Sequence, residues 1–461
     1  MLGRTMKSAQ RVWRRCWRDR GGNVSLMFGF FVVALTGGVG LAIDTSVAYS
    51  VRSQLSAAVD AAALAGARAF ADPDRDTDIQ NFFAANFEDG YMGAVLQPLQ
   101  IVPDDEARTI TVTAQATIPT FFMRILGTDS TTVAATGQAT LSSRDVEVAL
   151  VLDITGSMGG SKISDLRTAA KDLIDIVVQD QQEPFYSKVA IVPYSVAVNV
   201  GSYADEVRGA VTPGTCVYPA EPTCENFEFP RASDGDMITY GITNCATERT
   251  GAQLSTDAAP SGAPLGKQYS HDSYNPCPDS EIIPLSSNKA VLKAAIDTLE
   301  AEGSTAGHIG VAWGWYMISP NFGYLWPAES QPMPYGAIHL GQKVLKVVII
   351  MTDGAFNTIY YDGVIAKNSG SGSGTNSYKI NQNGVNGDGF TQAQALCDNM
   401  KAEGVEVYTV GFADASTGPA ADFVQNCATD AGHVYLPSSG ADLRDAFRSI
   451  AVQISNLRIS M

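Results

Sequence analysis

The spacing of apolar positions changes character three times along the chain. Residues 24–43 read VSLMFGFFVVALTGGVGLAI, an uncharged run of 20 residues. As a helix it would rise about 30 Å, the thickness of a bilayer's hydrocarbon core, so the run predicts a transmembrane span. After Asp44, apolar residues recur every fourth position (Val47, Val51, Leu55, Val59) and lead into the strong helix formers AAALAGA at 61–67. This predicts a stalk helix, whose small residues permit close approach of a partner's helix or of the protein's own body. Residues 75–144 combine a helical patch at 78–87 with two alternating stretches, 108–118 and 131–141, that predict strands. Between them the apolar PTFFMRILG predicts a short helix packed on their sheet.

From Asp145 onward, apolar runs alternate with helical patterns. Strands are predicted at 146–153, 188–195, 343–353 and 405–412. Helices are predicted at 161–178, 288–302, 307–318, 391–403 and 440–455. Strands that are apolar throughout are covered on both faces, and alternating βα units of this kind predict a doubly wound α/β fold with a parallel sheet. Trp313, Trp315 and Tyr316 read as core residues of the 307–318 helix. Two insertions, at about 200–285 and 355–388, are rich in Gly, Pro, Ser, Asn and aromatic residues and read as surface loops long enough to carry function. The second contains the Gly-rich NSGSGSGT, read as a flexible loop. The chain thus divides into a basic segment (1–22), a transmembrane helix (23–44), a stalk helix (45–72), a small α+β unit (73–144) and a doubly wound domain (145–461).

Charge sharpens this division. The 461 residues carry a net charge of −17, yet seven cations (Arg4, Lys7, Arg11, Arg14, Arg15, Arg18, Arg20) precede Gly22 against Asp19 alone. That segment is +6 and leaves −23 for the rest, which repels phosphate backbones and argues against nucleic-acid binding. Basic residues before the span predict a cytoplasmic N-terminus and an acidic bulk on the far side of the inner membrane, periplasmic or surface-exposed. A cleaved signal peptide ending near Gly40-Leu41-Ala42 is the competing reading. Cys16 lies in the basic segment. Cys216, Cys224, Cys245, Cys277, Cys397 and Cys427 lie beyond the span, an even number that fits up to three disulfides in an oxidising compartment. Cys397–Cys427 is the preferred pair, because the other four crowd into one insertion.

The candidate chemistry sits at predicted strand ends. Asp153-Ile154-Thr155-Gly156-Ser157 projects a carboxylate and two hydroxyls from the turn after the first strand, and Thr352-Asp353-Gly354 places a second carboxylate at the same edge of the sheet. Gly303-Ser304-Thr305 adds a hydroxyl from a loop between helices. These hard oxygens suit Mg²⁺ or Mn²⁺. The set resembles a von Willebrand factor A domain with its metal-ion-dependent adhesion site. That resemblance implies Asp153, Thr155 and Ser157 as ligands from a first loop, Thr305 from a second and Asp353 from a third, with Thr155 where many members carry serine. It also implies a partner protein offering an Asp or Glu to the metal. More widely, GGNVSLMFGF, RSQLSAAVDAAALAGA, GHIGVAWGWYMISP, MTDGAFN and LRDAFRSIAVQISNLRIS resemble the TadG-like proteins, membrane-anchored components of tight-adherence (Flp) pilus systems. Other pilus components are then the implied partners. The small pseudopilins of such systems are cleaved before an apolar helix that carries a glutamate near its start; NVSLM after Gly22 has no glutamate, so processing of that kind is not expected. Catalysis is not expected: there are four histidines, no HExxH and no G-x-S-x-G elbow. The alternative to metal-dependent adhesion is a structural envelope scaffold that needs no metal.

Overall fold

A computed structural model describes residues 22–70, 74–104, 109–140, 144–271 and 273–458; the expected basic segment, with Cys16, lies outside them. The chain divides into two compact units between Ser142 and Ser143.

The first unit is built on one helix. α1 (Gly22–Arg68) runs without interruption through what the sequence separates into transmembrane and stalk helices. Among the described residues it is the one helix long and apolar enough to cross a membrane. The charge at Asp44 marks a change of surroundings along it and no break in the backbone. Before Asp44 the helix exposes Met27, Phe28, Phe30, Phe31 and Val33, whereas Val51, Leu55, Val59 and Ala62 are fully buried. Of the two openings left to the small-residue face, the one realised is packing on the protein's own body. α2 (Arg75–Asn86) and an antiparallel sheet of β1 (Val95–Leu96), β2 (Gln100–Asp104), β3 (Thr109–Pro119) and β4 (Ser130–Thr140) close around it. β3 alternates strictly, with Ile110, Val112, Ala114, Ala116 and Ile118 facing inward. The predicted short helix between β3 and β4 is a 3-10 turn, Met123–Leu126. It does not pack on the sheet, because it lies beyond the ends of the strands; Phe121 and Ile125 are 67% and 83% exposed.

The second unit starts with β5 (Val146–Asp153), α3 (Ser161–Val177) and β6 (Ser187–Tyr194), then a short β7 (Val198–Asn199) and α4 (Ala204–Arg208). The first insertion is not only loops. β8 (Thr212–Val217), β9 (Cys224–Pro230), β10 (Met237–Thr247) and β11 (Gly266–Ser270) form a sheet of their own, in which β7 also pairs with β10. Its side chains enclose a small core of Phe227, Phe229, Tyr240 and Tyr269, to which the second insertion adds Val364 and Ile380. The chain continues through β12 (Ile283–Ser286), α5 (Lys289–Asp297), α6 (Gly307–Ile318), a hairpin of β13 (Ile338–His339) and β14 (Gln342–Lys343), and β15 (Leu345–Thr352). A second hairpin, β16 (Tyr360–Tyr361) and β17 (Val364–Ile365), precedes α7 (Gly389–Ala402), β18 (Glu406–Gly411), α8 (Gly418–Cys427), β19 (Val434–Tyr435) and α9 (Gly440–Arg458).

The main sheet has the order β12-β6-β5-β15-β18-β19, parallel except for the edge strand β12. This is the doubly wound arrangement, with the order reversing between β5 and β15. β5 and β15 are buried at every position. On one face Val148, Leu150, Val347 and Ile349 meet α3 and α9; on the other Ala149, Val151, Val348 and Ile350 meet α6. α6 itself is buried all round, Trp313, Trp315 and Tyr316 included, as anticipated. It approaches the sheet through glycine: a Cβ on Gly314 would lie 2.5 Å from Val151 Cγ2. Three disulfides brace the unit, Cys397–Cys427 as preferred from sequence, with Cys216–Cys224 and Cys245–Cys277. Full-length chain denatured without reductant is therefore expected to expose one reactive thiol, Cys16, and seven after reduction. Thiol-tag mass spectrometry reads both numbers.

Candidate metal centre

Asp153 ends β5 and Asp353 follows β15. These are the neighbouring central strands at which the strand order reverses, so both carboxylates emerge at the crevice where doubly wound sheets bind ligands. Both are buried, at 0% and 1% exposure. The turn after β5 is tied to its own carboxylate: Thr155 donates to Asp153 Oδ1 from its backbone N–H (3.0 Å) and from Oγ1 (2.6 Å). Thr155 Oγ1 is 3.0 Å from Ser157 Oγ, which donates to Asp353 Oδ1 at 2.6 Å. Four oxygens on two loops thus form one chain, from Asp153 Oδ1 through both hydroxyls to Asp353 Oδ1. Ser157 and Gly156 are exposed at its mouth.

The other carboxylate oxygens are held by the framework. Asp153 Oδ2 accepts from Tyr194 OH (2.9 Å) and Thr352 Oγ1 (3.0 Å). Asp353 Oδ2 accepts from Lys162 Nζ at 2.8 Å. Burial, and then the nearby Asp353 charge, push the Asp153 carboxyl up to about 6 against the opposing hydrogen bonds from Thr155 and Tyr194. Burial and the Asp153 charge in turn hold the Tyr194 phenol well above its ordinary range, so it stays a donor.

The second loop is zipped onto the first. Glu302 N–H donates to Ile154 O (2.8 Å) and Gly156 N–H to Gly303 O (2.9 Å). Gly303 sits at φ +71°, and a Cβ on Gly156 would stand 3.3 Å from that carbonyl, so glycine suits both positions. Within this loop the two adjacent hydroxyls differ. Ser304 Oγ is engaged by Asn275 Oδ1 (2.7 Å) and Gly372 O (3.1 Å). Thr305 has its backbone pinned by the third loop: Asn357 Oδ1 accepts from its N–H, and its carbonyl accepts from the N–H groups of Asn357 and Thr358. No hydrogen bond joins Thr305 Oγ1 to the four-oxygen chain. The Gly-rich NSGSGSGT stretch supplies Gly372 and walls in the second loop.

Of the five residues expected at the metal, Asp153, Thr155, Ser157 and Asp353 converge by direct hydrogen bonds, and Thr305 lies on a loop tied to both of theirs. The sequence reading missed Lys162, Tyr194, Asn275 and Asn357. None has a local pattern; Lys162 and Tyr194 could have been found only by placing the start of α3 and the end of β6 at this same edge. A donor set of carboxylates and hydroxyls fits a hard divalent cation. Asp353 is already paired with the Lys162 ammonium at 2.8 Å. Among the described residues, no group of three or more His, Cys, Asp or Glu is placed to hold a metal ion, and this centre itself contributes only two such residues, Asp153 and Asp353.

Residues 22–69 match the family model described as putative Flp pilus-assembly TadE/G-like. No curated protein matches the chain. Among solved structures, the pilus adhesin SpaC from Lactobacillus rhamnosus GG is similar at 13% identity and a TM-score of 0.35, over 78% of this chain and 34% of that one. The chain therefore spans about a third of that adhesin's length. The vWF domain of the type V pili tip protein Mfa5 from Porphyromonas gingivalis is similar at 12% identity and a TM-score of 0.36, covering 69% and 97% of the respective chains. A von Willebrand factor type A protein from Catenulispora acidiphila gives 13% and 0.30, over 77% and 49%. The TadE/G-like match is thus α1, the helix that can span a membrane, and the candidate metal centre belongs to the doubly wound unit that follows.

Proposed function

We propose that this protein is a membrane-anchored component of a tight-adherence pilus system that grips a partner protein through a divalent-metal adhesion site. The observation that carries the reading is the convergence of Asp153, Thr155, Ser157 and Asp353 into one chain of hard oxygens opening at exposed Ser157. Asp153, Thr155, Ser157, Thr305 and Asp353 would hold Mg²⁺ or Mn²⁺. Two carboxylates and three hydroxyls do not fill the roughly six positions such an ion prefers, so when bound it supplies an open position for a partner's Asp or Glu oxygen. Tyr194 and Thr352 orient the Asp153 carboxylate, and Lys162 orients that of Asp353. The three disulfides support an oxidising compartment for the bulk of the chain, hence a periplasmic or surface-exposed second unit with the N-terminus in the cytoplasm.

Crosslinking in intact cells, with and without chelator, tests this. Partners captured in Mg²⁺ should be lost in EDTA and lost from an Asp153→Ala strain; equal capture under all conditions eliminates metal-dependent binding. One observation favours the second reading, an envelope scaffold without metal: Lys162 already supplies a positive charge to Asp353. Manganese titration of the purified full chain separates the two, since the scaffold predicts no saturable site.

A further inference from the structure

The β3–β4 hairpin lies along α1 in the opposite direction to the helix. At one end Ile110 approaches Gly66, and toward the C-terminal end of β4 Gly137 lies against the backbone of Val59. At the other end the hairpin's turn reaches Asp44, whose buried carboxylate accepts the backbone N–H groups of Phe121 (3.0 Å), Phe122 (3.0 Å) and Met123 (2.8 Å). The turn continues past Asp44. Phe122 packs on Gly40 so closely that a Cβ there would stand 2.5 Å from it. Gly40 is four residues before Asp44, so the turn extends about 6 Å along the helix into the apolar 24–43 run.

The side chains at that level are apolar and uncovered. Phe121, Phe122 and Ile125 are 67%, 41% and 83% exposed, beside exposed Val39, Leu41 and Ile43 of α1. An apolar patch continuous with a membrane-spanning surface is solvated by the same acyl chains. The turn's charged residues, Arg124 and Asp129, pair with each other at 3.3 Å and remain exposed, as suits headgroup depth. Its neck is closed by Thr120, which donates from N–H to Asp129 O and from Oγ1 to Thr128 O, so those two carbonyls are satisfied where the turn leaves the sheet.

We propose that the Phe121–Ile125 turn is a second membrane contact, inserting Phe121, Phe122 and Ile125 into the leaflet at the C-terminal end of the α1 span, with Asp44 as the latch. The proposal rests on α1 spanning a membrane and adds a lipid-facing element that the span does not require. It is tested with the full chain in vesicles of phosphatidylcholine and phosphatidylglycerol. A Cys16→Ser chain carries Ile125→Cys labelled with an environment-sensitive fluorophore, and Val102→Cys on exposed β2 is the control. The probe at 125 should be quenched by brominated acyl chains and be at least fivefold less sensitive to aqueous iodide than the probe at 102. Asp44→Ala should return iodide sensitivity to the 125 probe at least twofold. If the protein floats with the vesicles and resists alkaline extraction while both probes respond equally to iodide, the contact is overturned and the span stands. If it does not float, both fall.

Discussion

Asparagine in place of Asp353 should abolish divalent-ion binding and leave the fold intact. The substitution keeps an oxygen for Ser157 to donate to and removes the charge that a hard cation requires. Altering groups that merely orient metal ligands lowers affinity about 10–100-fold, so losing a carboxylate ligand should exceed about 100-fold. Manganese titration of wild type and Asp353→Asn measures it, and unchanged affinity would remove Asp353 from the site. The metal-free protein should respond in the opposite sense. With Asp153 raised from 3.8 to about 6, its contribution to stability is fully present below about pH 4 and is lost as pH rises through about 6. That displacement corresponds to about 3 kcal/mol. Relieved of the Asp353 charge, Asp353→Asn should lose less stability over this window, which unfolding at pH 4.5 and 7 in EDTA reads directly.

Methionine at Lys346 should cost about 3–5 kcal/mol, a large share of a typical domain's total stability. Lys346 and Glu147 lie side by side on β15 and β5, exposed by only 4% and 0%, with the ammonium donating to Glu147 Oε2 and to Ile318 O. Glu147 Oε1 accepts from Tyr186 OH and from the Met333 N–H, both 2.9 Å or closer. Removing the ammonium leaves a carboxylate sealed in the sheet with neutral donors only. Glu147→Gln in the Lys346→Met background should recover at least half of the loss, because the amide oxygen still accepts and no charge remains. Denaturant unfolding followed through Trp313, Trp315 and Trp326, all buried in the second unit, gives both values. Full additivity of the two substitutions would show that the pair does not act as a unit.

The central sheet and its two carboxylates were legible because each has a local signature. β5 and β15 are largely apolar, broken only by Glu147 and Lys346, with an acid ending the first and following the second, and neighbouring parallel strands bring their ends together whatever lies between them in sequence. The first insertion was not legible. β9 alternates, burying Phe227 and Phe229, but over a span too short to stand out among Gly, Pro and Ser, and it is held by distant segments. Its pairing with β10 (Tyr240 opposite Phe227), the Cys216–Cys224 bridge and the packing of Val364 and Ile380 leave no periodicity in the chain. The helical pattern was legible on both sides of Asp44, but that charge divided one helix into two named segments. A charge ends a hydropathy window, yet it does not end a helix when the carboxylate is taken up by backbone donors from the hairpin turn. Lys162 shows the same limit at the site, since its role depends on a carboxylate 191 residues away.

The unbroken backbone of α1 has a mechanical corollary. From Asp44 to Arg68 the helix extends about 36 Å beyond the apolar run, and no joint intervenes in Gly22–Arg68. A tilt of about 20°, ordinary for a bilayer helix, carries its far end sideways by roughly 12 Å, and axial rotation in the lipid turns the attached sheet by the same angle. On the proposed reading that α1 spans a membrane, the first unit would be a lever whose fulcrum is the bilayer, and thickness or curvature of the surrounding lipid would reach it as displacement, where a flexible tether would absorb it.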